Sequence, residues 1–481
     1  MRFSVILRYM GMILLLDAGM MLISALVSLA YGMDTGFYPL LLSTVLTGAL
    51  GAFPLIFVGR SEQINSKEGY FIVVGSWIVS CIVGTFPYLL WGGEFSVVNA
   101  WFESVSGYTT TGATILNDIE ALPHGLLFWR ACTPFLGGIG VVMFALVVLP
   151  SLGRTKMTLS SVEISPLAKD NYRYRTQKMI QVLLVVYLGM IAAQSVLLKV
   201  AGVGWFDAIT TAFSTIATCG FSIRNASIAA YGSLWVEIIM TVFMVLASVH
   251  FGIIFATLTG KLNNIFRSEV AKYYIACIVG ASVVIAGSLW IQGSYSSFFT
   301  ALRYSTFQVA AMSSTSGFVT ADTNTWTSLS MIILIVIGLQ CGIAGSTAGG
   351  IKADRILLSL KVMRSKILQQ QHPSAIIRVK LNNIIQDADV INFAMIFIVA
   401  YISLILIGTI VVTAFGVDFV TAGSSVISSM GNIGPGFGSV GSLGNYDGLP
   451  WPVKIIHTVL MLLGRLEIFG FIQLFLIKWW K

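Results

Sequence analysis

Four short glycine-containing segments have the residue types needed to replace the water around a cation. Aligned on one glycine they read TTTGA, ATCGF, STSGF and NIGPG, and the aligned glycines are Gly112, Gly220, Gly317 and Gly434. An extended backbone can aim its carbonyl oxygens at an ion and take the place of the hydration shell. Glycine supports this because it adopts backbone angles that are denied to other residues. The segments therefore predict a cation site built from backbone oxygens.

Each glycine follows a run that is too short to cross a membrane. The runs cover residues 95–111, 205–219, 298–316 and 418–433. Half-helices that point their partially negative C-terminal ends at one centre would favour a cation there. Asp207 and Asp418 stand at the opposite ends of two runs, where negative charge suits the dipole, and the Thr218 and Thr315 hydroxyls can add oxygen ligands. An ordinary Gly-rich loop explains one such segment better than four in register.

The composition of the chain is that of a polytopic membrane protein. Of 481 residues, 56% are hydrophobic and only 10% are charged, and the mean hydropathy is +0.88. A soluble domain carries about 25% charged residues, so this chain could not keep its apolar surface out of water. Apolar stretches of about 20 residues predict membrane-spanning helices. The ten predicted spans are 9–31, 37–59, 70–91, 124–149, 179–200, 234–260, 271–292, 327–343, 390–415 and 452–477.

The distribution of charge predicts the orientation. With a cytoplasmic N-terminus, alternating loops place all but six of the 28 Lys and Arg residues in the cytoplasm, mostly in 150–178, 261–272 and 352–380. Cytoplasmic loops carry such an excess, and an even number of spans puts the C-terminus there too. The opposite face collects acidic side chains, which are either loose surface groups or a cation-concentrating entrance. They are Asp34, Glu94, Asp118, Glu120, Asp207, Asp322, Asp418 and Asp447.

The glycine segments recur at intervals of roughly 100 residues, which indicates a repeated structural unit. Because each unit crosses the membrane twice, all four copies keep one orientation and can surround an axis along the membrane normal. The predicted fold is an all-α polytopic membrane protein, with two N-terminal helices and four helix–pore-loop–helix repeats around a central ion pore. The expected boundaries are 1–68 for the N-terminal extension, then 69–150, 151–262, 263–380 and 381–481 for the repeats.

The chain resembles the Trk/Ktr/HKT superfamily of cation transporters, whose four pore-loop repeats are related to potassium-channel subunits. The resemblance covers nearly the whole chain and is most specific in the glycine segments, LGGIG at 136–140, GIAGSTAGGIK at 342–352 and GRLEIFG at 464–470. The two additional N-terminal helices and the length are more similar to the Trk H/G branch than to the shorter Ktr B branch.

The resemblance implies a potassium selectivity filter. The residues that would coordinate dehydrated potassium are Thr110, Thr111, Gly112, Thr218, Cys219, Gly220, Thr315, Ser316, Gly317, Asn432, Ile433 and Gly434. Relatives with Ser at the first glycine position tend toward sodium, whereas this chain has Gly112. The fourth segment departs most from a channel filter, with Asn432 in place of threonine and Pro435 directly after Gly434. Stringency against sodium therefore stays open at this point.

The resemblance also implies potassium uptake across the bacterial inner membrane, with K⁺ as the transported ion and no organic cofactor in this chain. Its implied partners are membrane lipid, a second copy in a homodimer, and a cytosolic nucleotide-binding Rossmann-type regulatory subunit (Trk A-like). The basic loops 150–178 and 352–380 could dock that subunit.

The net charge of +8 does not require nucleic acid, because membrane proteins store Lys and Arg in cytoplasmic loops.

A run of small residues interrupts the inner helix of the third repeat. The segment 342–352 superficially resembles a phosphate-binding loop, but its lysine lacks the following Ser or Thr and no parallel-sheet pattern surrounds it. The run instead predicts a flexible break, either a structural kink or, as the resemblance implies, a gating loop. The gate residues are Gly345, Ser346, Thr347, Ala348, Gly349 and Gly350.

Arg465 is predicted to lie in the middle of the span 452–477. A charge at that depth costs at least ~2.5–3.5 kcal/mol, so it usually faces protein or water. One alternative is a structural pairing with Glu467 or with backbone carbonyls, although residues two positions apart do not share a helix face. The resemblance places this arginine beside the pore below the filter, where its charge would form an electrostatic barrier that works with the loop.

The sequence leaves several other functions to be considered. A sodium-permeable pore and a proton-coupled symporter belong to the same superfamily, and a purely structural scaffold does not explain four matched segments. An intramembrane hydrolase would need a paired catalytic constellation, whereas Asp17 stands alone in the first span and the histidines have no partners at telling spacing. His250, predicted mid-span, is either a core histidine or a proton relay, and Arg130 either braces a filter loop or anchors at the interface. An enzyme is not expected.

Overall fold

The computed structural model describes residues 2–59, 66–148, 176–260, 264–372, 374 and 377–472. Most of the predicted basic loop 150–178 and the end of the predicted span 452–477 lie outside these residues. Two helices, α1 (Phe3–Ala30) and α2 (Phe37–Phe57), pack against each other and precede four similar units.

Each unit has an outer helix, a half-helix and an inner helix, some with an additional short helix. The first unit contains α3 (Ser66–Gly84), α4 (Phe86–Trp91), α5 (Val97–Tyr108) and α6 (His124–Val148). The second contains α7 (Thr176–Val200), α8 (Trp205–Ile216), α9 (Leu234–Ala247) and α10 (Phe251–Leu258). The third contains α11 (Glu269–Ile291), α12 (Phe298–Ser313), α13 (Ser328–Gln340) and α14 (Ala353–Gln371). The fourth contains α15 (Ala388–Ala414), α16 (Phe419–Gly431), α17 (Trp451–Arg465) and α18 (Phe469–Ile472). A hairpin of β1 (Lys380–Leu381) and β2 (Ile384–Ile385) precedes α15.

The half-helices α5, α8, α12 and α16 coincide with the four short runs expected from the sequence. They contain 12, 12, 16 and 13 residues, which at 1.5 Å per residue is about 18–24 Å. That length falls short of the ~30 Å hydrocarbon core. The side chains of Ser96, Ser297 and Asp418 each accept a backbone N–H at the start of a half-helix, so local capping sets where three of the four begin.

The packing of the half-helices closes a ring. Each packs against the outer and inner helices of its own unit and against the inner helix of the preceding unit, with α5 packing on α17 to join the first unit to the fourth. The C-terminal ends of the half-helices consequently converge, and the residues that follow them meet at the centre.

Asp17, the lone acid of the first predicted span, has hydrogen-bond partners on other helices. This carboxylate on α1 is 1% exposed and accepts hydrogen bonds from the Ser80 hydroxyl at 2.7 Å and the Tyr108 hydroxyl at 3.0 Å. Buried charge is costly unless polar partners hold it. Because Tyr108 ends α5, Asp17 ties the N-terminal helices to the first half-helix.

Every predicted span contains a helix, but four spans are interrupted or shortened. Span 70–91 breaks at Thr85, and span 327–343 ends as a helix at Gln340. Span 234–260 is bent by 108° between α9 and α10. His250 therefore does not lie mid-helix but caps the start of α10, where its Nδ1 accepts the Gly252 N–H. Within the described residues, six helices are long and apolar enough to cross a membrane, or seven if the bent pair forms one span.

The fourth interrupted span is 452–477, which is not one continuous helix through Arg465 as expected. Helix α17 ends at Arg465, and the chain then turns through Glu467 and Ile468, which have φ angles of 51° and 38°. Glu467 does not pair with Arg465 as one alternative suggested. It accepts a hydrogen bond from the Arg355 guanidinium at 2.7 Å, and this contact holds the turn against α14.

Candidate ion-binding site

All four half-helices end in the same hydrogen-bonded motif. The first residue of each glycine segment donates its N–H to the carbonyl three residues earlier, and the second donates to the carbonyl five residues earlier. These distances lie between 2.8 and 3.3 Å. This is the Schellman termination, which satisfies the orphan carbonyls at a helix end and requires the residue after the helix to be left-handed. The glycine segments are Thr110–Gly112, Thr218–Gly220, Thr315–Gly317 and Asn432–Gly434.

The left-handed position is not glycine in any segment. Thr110, Thr218 and Thr315 have φ angles of 54°, 59° and 59°, and Asn432 has 53°. A β-branched residue with positive φ is a true outlier, and such strain costs of order 1–3 kcal/mol and clusters at functional sites. Asparagine tolerates a positive φ better than threonine does. This is a local reason for Asn432 in the fourth segment, where the other segments have threonine.

The four glycines lie against one another in a closed ring. A β-carbon placed on Gly112 would lie 1.8 Å from the Cys219 carbonyl oxygen, and one on Gly220 would lie 1.7 Å from that of Ser316. The corresponding distances are 2.1 Å from Gly317 to the Ile433 oxygen and 2.7 Å from Gly434 to the Thr111 oxygen. Each glycine therefore faces the carbonyl of the residue before the next glycine. No side chain fits at these four glycine positions.

The twelve residues predicted as ligands make up the four glycine segments, and eight of them, the glycines and the residues directly before them, form this ring. Their four glycines line a cavity of about 170 Å³, and the remaining eight side chains are buried. The Thr218 hydroxyl donates to the Ala217 carbonyl at 2.6 Å, and the Thr315 hydroxyl accepts the Gly349 N–H at 3.1 Å. The two hydroxyls predicted as additional ligands thus form hydrogen bonds within the protein. What the four segments share is a backbone carbonyl that faces a glycine of the neighbouring segment.

The fourth segment is tied to its neighbours by side chains. The Asn432 amide donates to the Thr111 hydroxyl and to the Met461 carbonyl, both at 3.0 Å. The Pro435 ring lies 2.5 Å from the position of a β-carbon on Gly317. Both residues that depart from the pattern of the other segments therefore fill space between segments.

A buried ion pair braces the first two segments from behind. Arg130 donates to Glu103 at 2.7 Å, and the two side chains are 2% and 0% exposed. Arg130 also donates to the Ser222 carbonyl at 2.6 Å, and Glu103 accepts the Ile115 N–H at 3.1 Å. Of the two roles considered for Arg130, the structure shows the brace. Glu103 was missed, although an acid inside an apolar half-helix is a visible signal.

Replacing Arg130 with alanine is expected to lower the free energy of unfolding by about 3–5 kcal/mol, because it leaves the Glu103 charge buried and uncompensated. Thermal unfolding of the detergent-solubilised protein measures the loss. The control is Arg224→Ala, whose guanidinium is 42% exposed where it pairs with Asp207; such a pair is worth at most about 1 kcal/mol. Equal losses in the two variants would contradict the bracing role.

The acidic residues predicted on the outer face are only partly free to attract cations. Asp118 accepts a hydrogen bond from the Asn225 amide at 2.8 Å, and Asp207 accepts one from Arg224 at 2.9 Å. Lys454 donates to Asp447 at 3.2 Å. These groups fasten the loops around the cavity, in addition to any effect on local cation concentration.

The run of small residues forms an irregular buried loop, residues 341–352, directly below the glycine ring. It separates α13 from α14 as expected. The Thr347 hydroxyl donates to the Ile216 carbonyl at the end of α8 at 2.8 Å, and Gly349 donates to Thr315 at 3.1 Å. The loop thus contacts the end of the half-helix of the second unit as well as the glycine segment of its own unit, and it lies next to the ring.

The break between α9 and α10 accommodates this loop. Ile343 donates to the Ser248 carbonyl at 2.8 Å, and Phe251 donates to the Gly345 carbonyl at 3.2 Å. A β-carbon on Gly345, whose φ is 82°, would lie 2.3 Å from the His250 ring. His250 therefore caps α10 and packs against the loop.

Arg465 joins the loop to the first unit. Its guanidinium donates to the Thr347 carbonyl at 2.7 Å and to the Gly137 carbonyl at 3.2 Å, and it lies 5.7 Å from the centre of the Trp77 ring. Gly137 in turn packs so tightly that a β-carbon would lie 2.0 Å from the Tyr108 carbonyl. The predicted gate residues are thus brought together under the ring.

A closed ring of backbone carbonyls at the tips of four half-helices defines a class of protein: polytopic helical membrane proteins that move ions. The comparisons agree. The family model TrkH, described as a cation transport protein, matches residues 41–274 and 294–479, so the chain belongs to the TrkH family of cation transport proteins. This membership confirms the all-α membrane fold of the resemblance, and the family is one of transporters rather than enzymes.

Individual relatives match over their full length. The chain is 34% identical to a Trk system potassium uptake protein TrkH of Halomonas elongata and 32% identical to one of Escherichia coli K12, each over 100% of both chains. The crystal structure of the potassium transporter TrkH from Vibrio parahaemolyticus matches with a TM-score of 0.89 at 30% identity, over 100% of both chains.

Proposed function

We propose that this protein carries out potassium-selective uptake across the bacterial inner membrane. The twelve residues of the glycine segments act as its selectivity filter, in which carbonyl oxygens replace the hydration shell of K⁺. The supporting observation is the ring of four glycines, each within 2.7 Å of a neighbouring carbonyl when given a β-carbon. The converging C-terminal ends of the half-helices add a negative potential at the same centre. The relatives named for potassium uptake support the choice of ion.

The loop and Arg465 form the gate of this proposal. Residues Gly345–Gly350 occupy the path below the filter, and Arg465 holds the loop in place through the Thr347 carbonyl while its charge repels an approaching cation. A K⁺ ion leaving the filter must displace the loop. Movement of α14, which follows the loop directly, would transmit a signal from the cytoplasm.

The wider architecture belongs to the same proposal. We place the N-terminal extension at 1–68 and the pore repeats at 69–150, 151–262, 263–380 and 381–481, with both termini in the cytoplasm. The protein acts as a homodimer with one pore per chain. Its cytosolic partner is the nucleotide-binding Rossmann-type regulatory subunit, which docks on the basic cytoplasmic side.

A sodium-permeable pore is the second candidate function, and the fourth segment favours it. A β-carbon placed on Gly434 would lie 2.7 Å from the neighbouring carbonyl oxygen, whereas the distance is 1.7–2.1 Å at the other three glycines. Wider spacing at this one position would let the ring discriminate less strictly by cavity size. Proton-coupled symport is a further variant of the same uptake.

Cation flux into proteoliposomes containing only this chain is expected to favour potassium and rubidium over sodium under a set membrane potential. Empty liposomes provide the control, and varying pH separately tests proton coupling. Equal potassium and sodium flux would replace the first candidate by the second. If the protein stays silent even with Arg465→Ala and with the cytosolic partner added, the pore itself is refuted.

A further inference from the structure

A second cavity lies at the N-terminal end of α11. It has a volume of about 520 Å³ and is lined by four basic side chains, Arg267, Lys272, Lys361 and Lys380. The 23 residues of α11 separate it from the outer end of that helix, a distance of about 35 Å at 1.5 Å per residue. In the orientation proposed above, on which this inference rests, the cavity therefore lies on the cytoplasmic side, about one membrane thickness from the outer face.

The walls of this cavity are held in place by hydrogen bonds between distant segments. The Glu269 N–H donates to the Asn382 side chain at 2.8 Å, and the Asn382 N–H donates back to the Glu269 carboxylate at 3.2 Å. Lys361 donates to Glu269 and, at 2.8 Å, to the Lys380 carbonyl. The hairpin, α11 and α14 thus form one preorganised site.

The charges in the cavity do not cancel. Among the described lining residues, Glu269 is the one acid, and it is engaged by Lys361 and Asn382. Within the described ranges, no carboxylate forms an ion pair with Arg267, Lys272 or Lys380. Three cations converging on a fixed cavity suit a phosphate group, which accepts charge-assisted hydrogen bonds from Arg and Lys.

An exposed apolar track leads away from the cavity along α11. Ile275, Val279 and Val283 are 40%, 56% and 47% exposed, and they follow Lys272 at intervals of three, seven and eleven residues on one helix face. Phe266, next to Arg267, is 75% exposed. A ligand with a phosphate at one end and a hydrocarbon chain at the other matches this sequence of basic and apolar surface.

We propose that this cavity binds the headgroup phosphate of an anionic phospholipid, with an acyl chain along α11. Basic pockets between membrane helices on the cytoplasmic side recognise such headgroups. A bound lipid would bridge α11, α14 and the hairpin. Since α14 directly follows the 341–352 loop, the lipid would restrain the element on which gate movement depends.

Native mass spectrometry of the full-length protein titrated with phosphatidylglycerol tests the proposal, with phosphatidylcholine as reference. In Arg267→Gln/Lys380→Gln, the affinity for phosphatidylglycerol is expected to fall by about tenfold or more, since each basic residue near the surface contributes appreciably to anionic-lipid binding. The matched control is Arg364→Gln/Lys366→Gln, which removes the same two residue types from exposed positions on α14 outside the cavity. The control is expected to bind as the wild type does.

Equal loss in the two variant pairs, or equal binding of the two lipids, would overturn the site. Inorganic phosphate and glycerophosphoglycerol are titrated in parallel. Binding of either as tightly as the lipid would overturn the acyl track and leave a soluble phosphate ligand. If lipid binding is unchanged while docking of a cytosolic subunit is lost in Arg267→Gln/Lys380→Gln, the cavity serves a protein partner instead. Gel filtration of both variants confirms folding.

Discussion

Gly112→Ser is expected to lower the ratio of potassium to sodium permeability by about tenfold or more, which corresponds to ~1.4 kcal/mol of lost discrimination. A serine β-carbon at this position would lie 1.8 Å from the Cys219 carbonyl oxygen, so the second segment must move out of the ring. The positive φ of 81° adds strain for any side chain. Carbonyl oxygens displaced from the ring would replace the hydration shell of K⁺ less well, so potassium would lose its advantage over sodium. Reversal potentials in bi-ionic potassium and sodium solutions measure the effect.

Two further variants sharpen this test. Gly434→Ser meets a carbonyl at 2.7 Å rather than 1.8 Å, so its effect on selectivity is expected to be smaller than that of Gly112→Ser. Gly280→Ser lies on α11 with nothing within 4 Å of an added β-carbon, so it should leave the permeability ratio unchanged. Wild-type ratios in Gly112→Ser, or a larger change in Gly280→Ser, would remove the filter assignment.

Arg465→Ala is expected to raise potassium flux in the absence of the regulatory subunit, by about tenfold or more. The change removes two hydrogen bonds from a charged donor, at 2.7 Å to Thr347 and 3.2 Å to Gly137, and bonds of this kind contribute about 1.5–3 kcal/mol each. It also removes a positive charge from the proposed ion path. Rubidium uptake by proteoliposomes containing the single chain gives the readout.

Arg465→Lys separates the two contributions. Lysine keeps the charge but cannot reproduce the planar fork that reaches two carbonyls, so flux between that of the wild type and the alanine variant is expected. Flux equal to that of Arg465→Ala would assign the gate to the hydrogen bonds alone. Arg364→Ala, an exposed arginine on α14, serves as the control. Wild-type flux in Arg465→Ala would make the arginine a purely structural residue.

Interruptions of helices were predictable only where the cause is local. The small residues at 342–350 mark a break because glycine is a poor helix former, and the structure has an irregular loop there. The break before α10 carries no such signal, because it depends on hydrogen bonds from Ile343 to Ser248 and from Phe251 to Gly345 of a different unit. The turn after Arg465 likewise follows an apolar run. It is held by the pairing of Glu467 with Arg355, which are 112 residues apart.

The sequence by itself determined the membrane class, the positions of the half-helices and the recurrence of the glycine segments, because hydrophobic length, capping side chains and glycine spacing are local properties. Tertiary structure decided which carbonyl each glycine faces, how Glu103 and Arg130 brace the ring, and how Arg465 reaches the loop through Thr347. Glu103 and Arg130 lie 27 positions apart, and Thr347 and Arg465 lie 118 apart. Such pairings follow from how the four units close around one axis, a property that no single segment of the chain possesses.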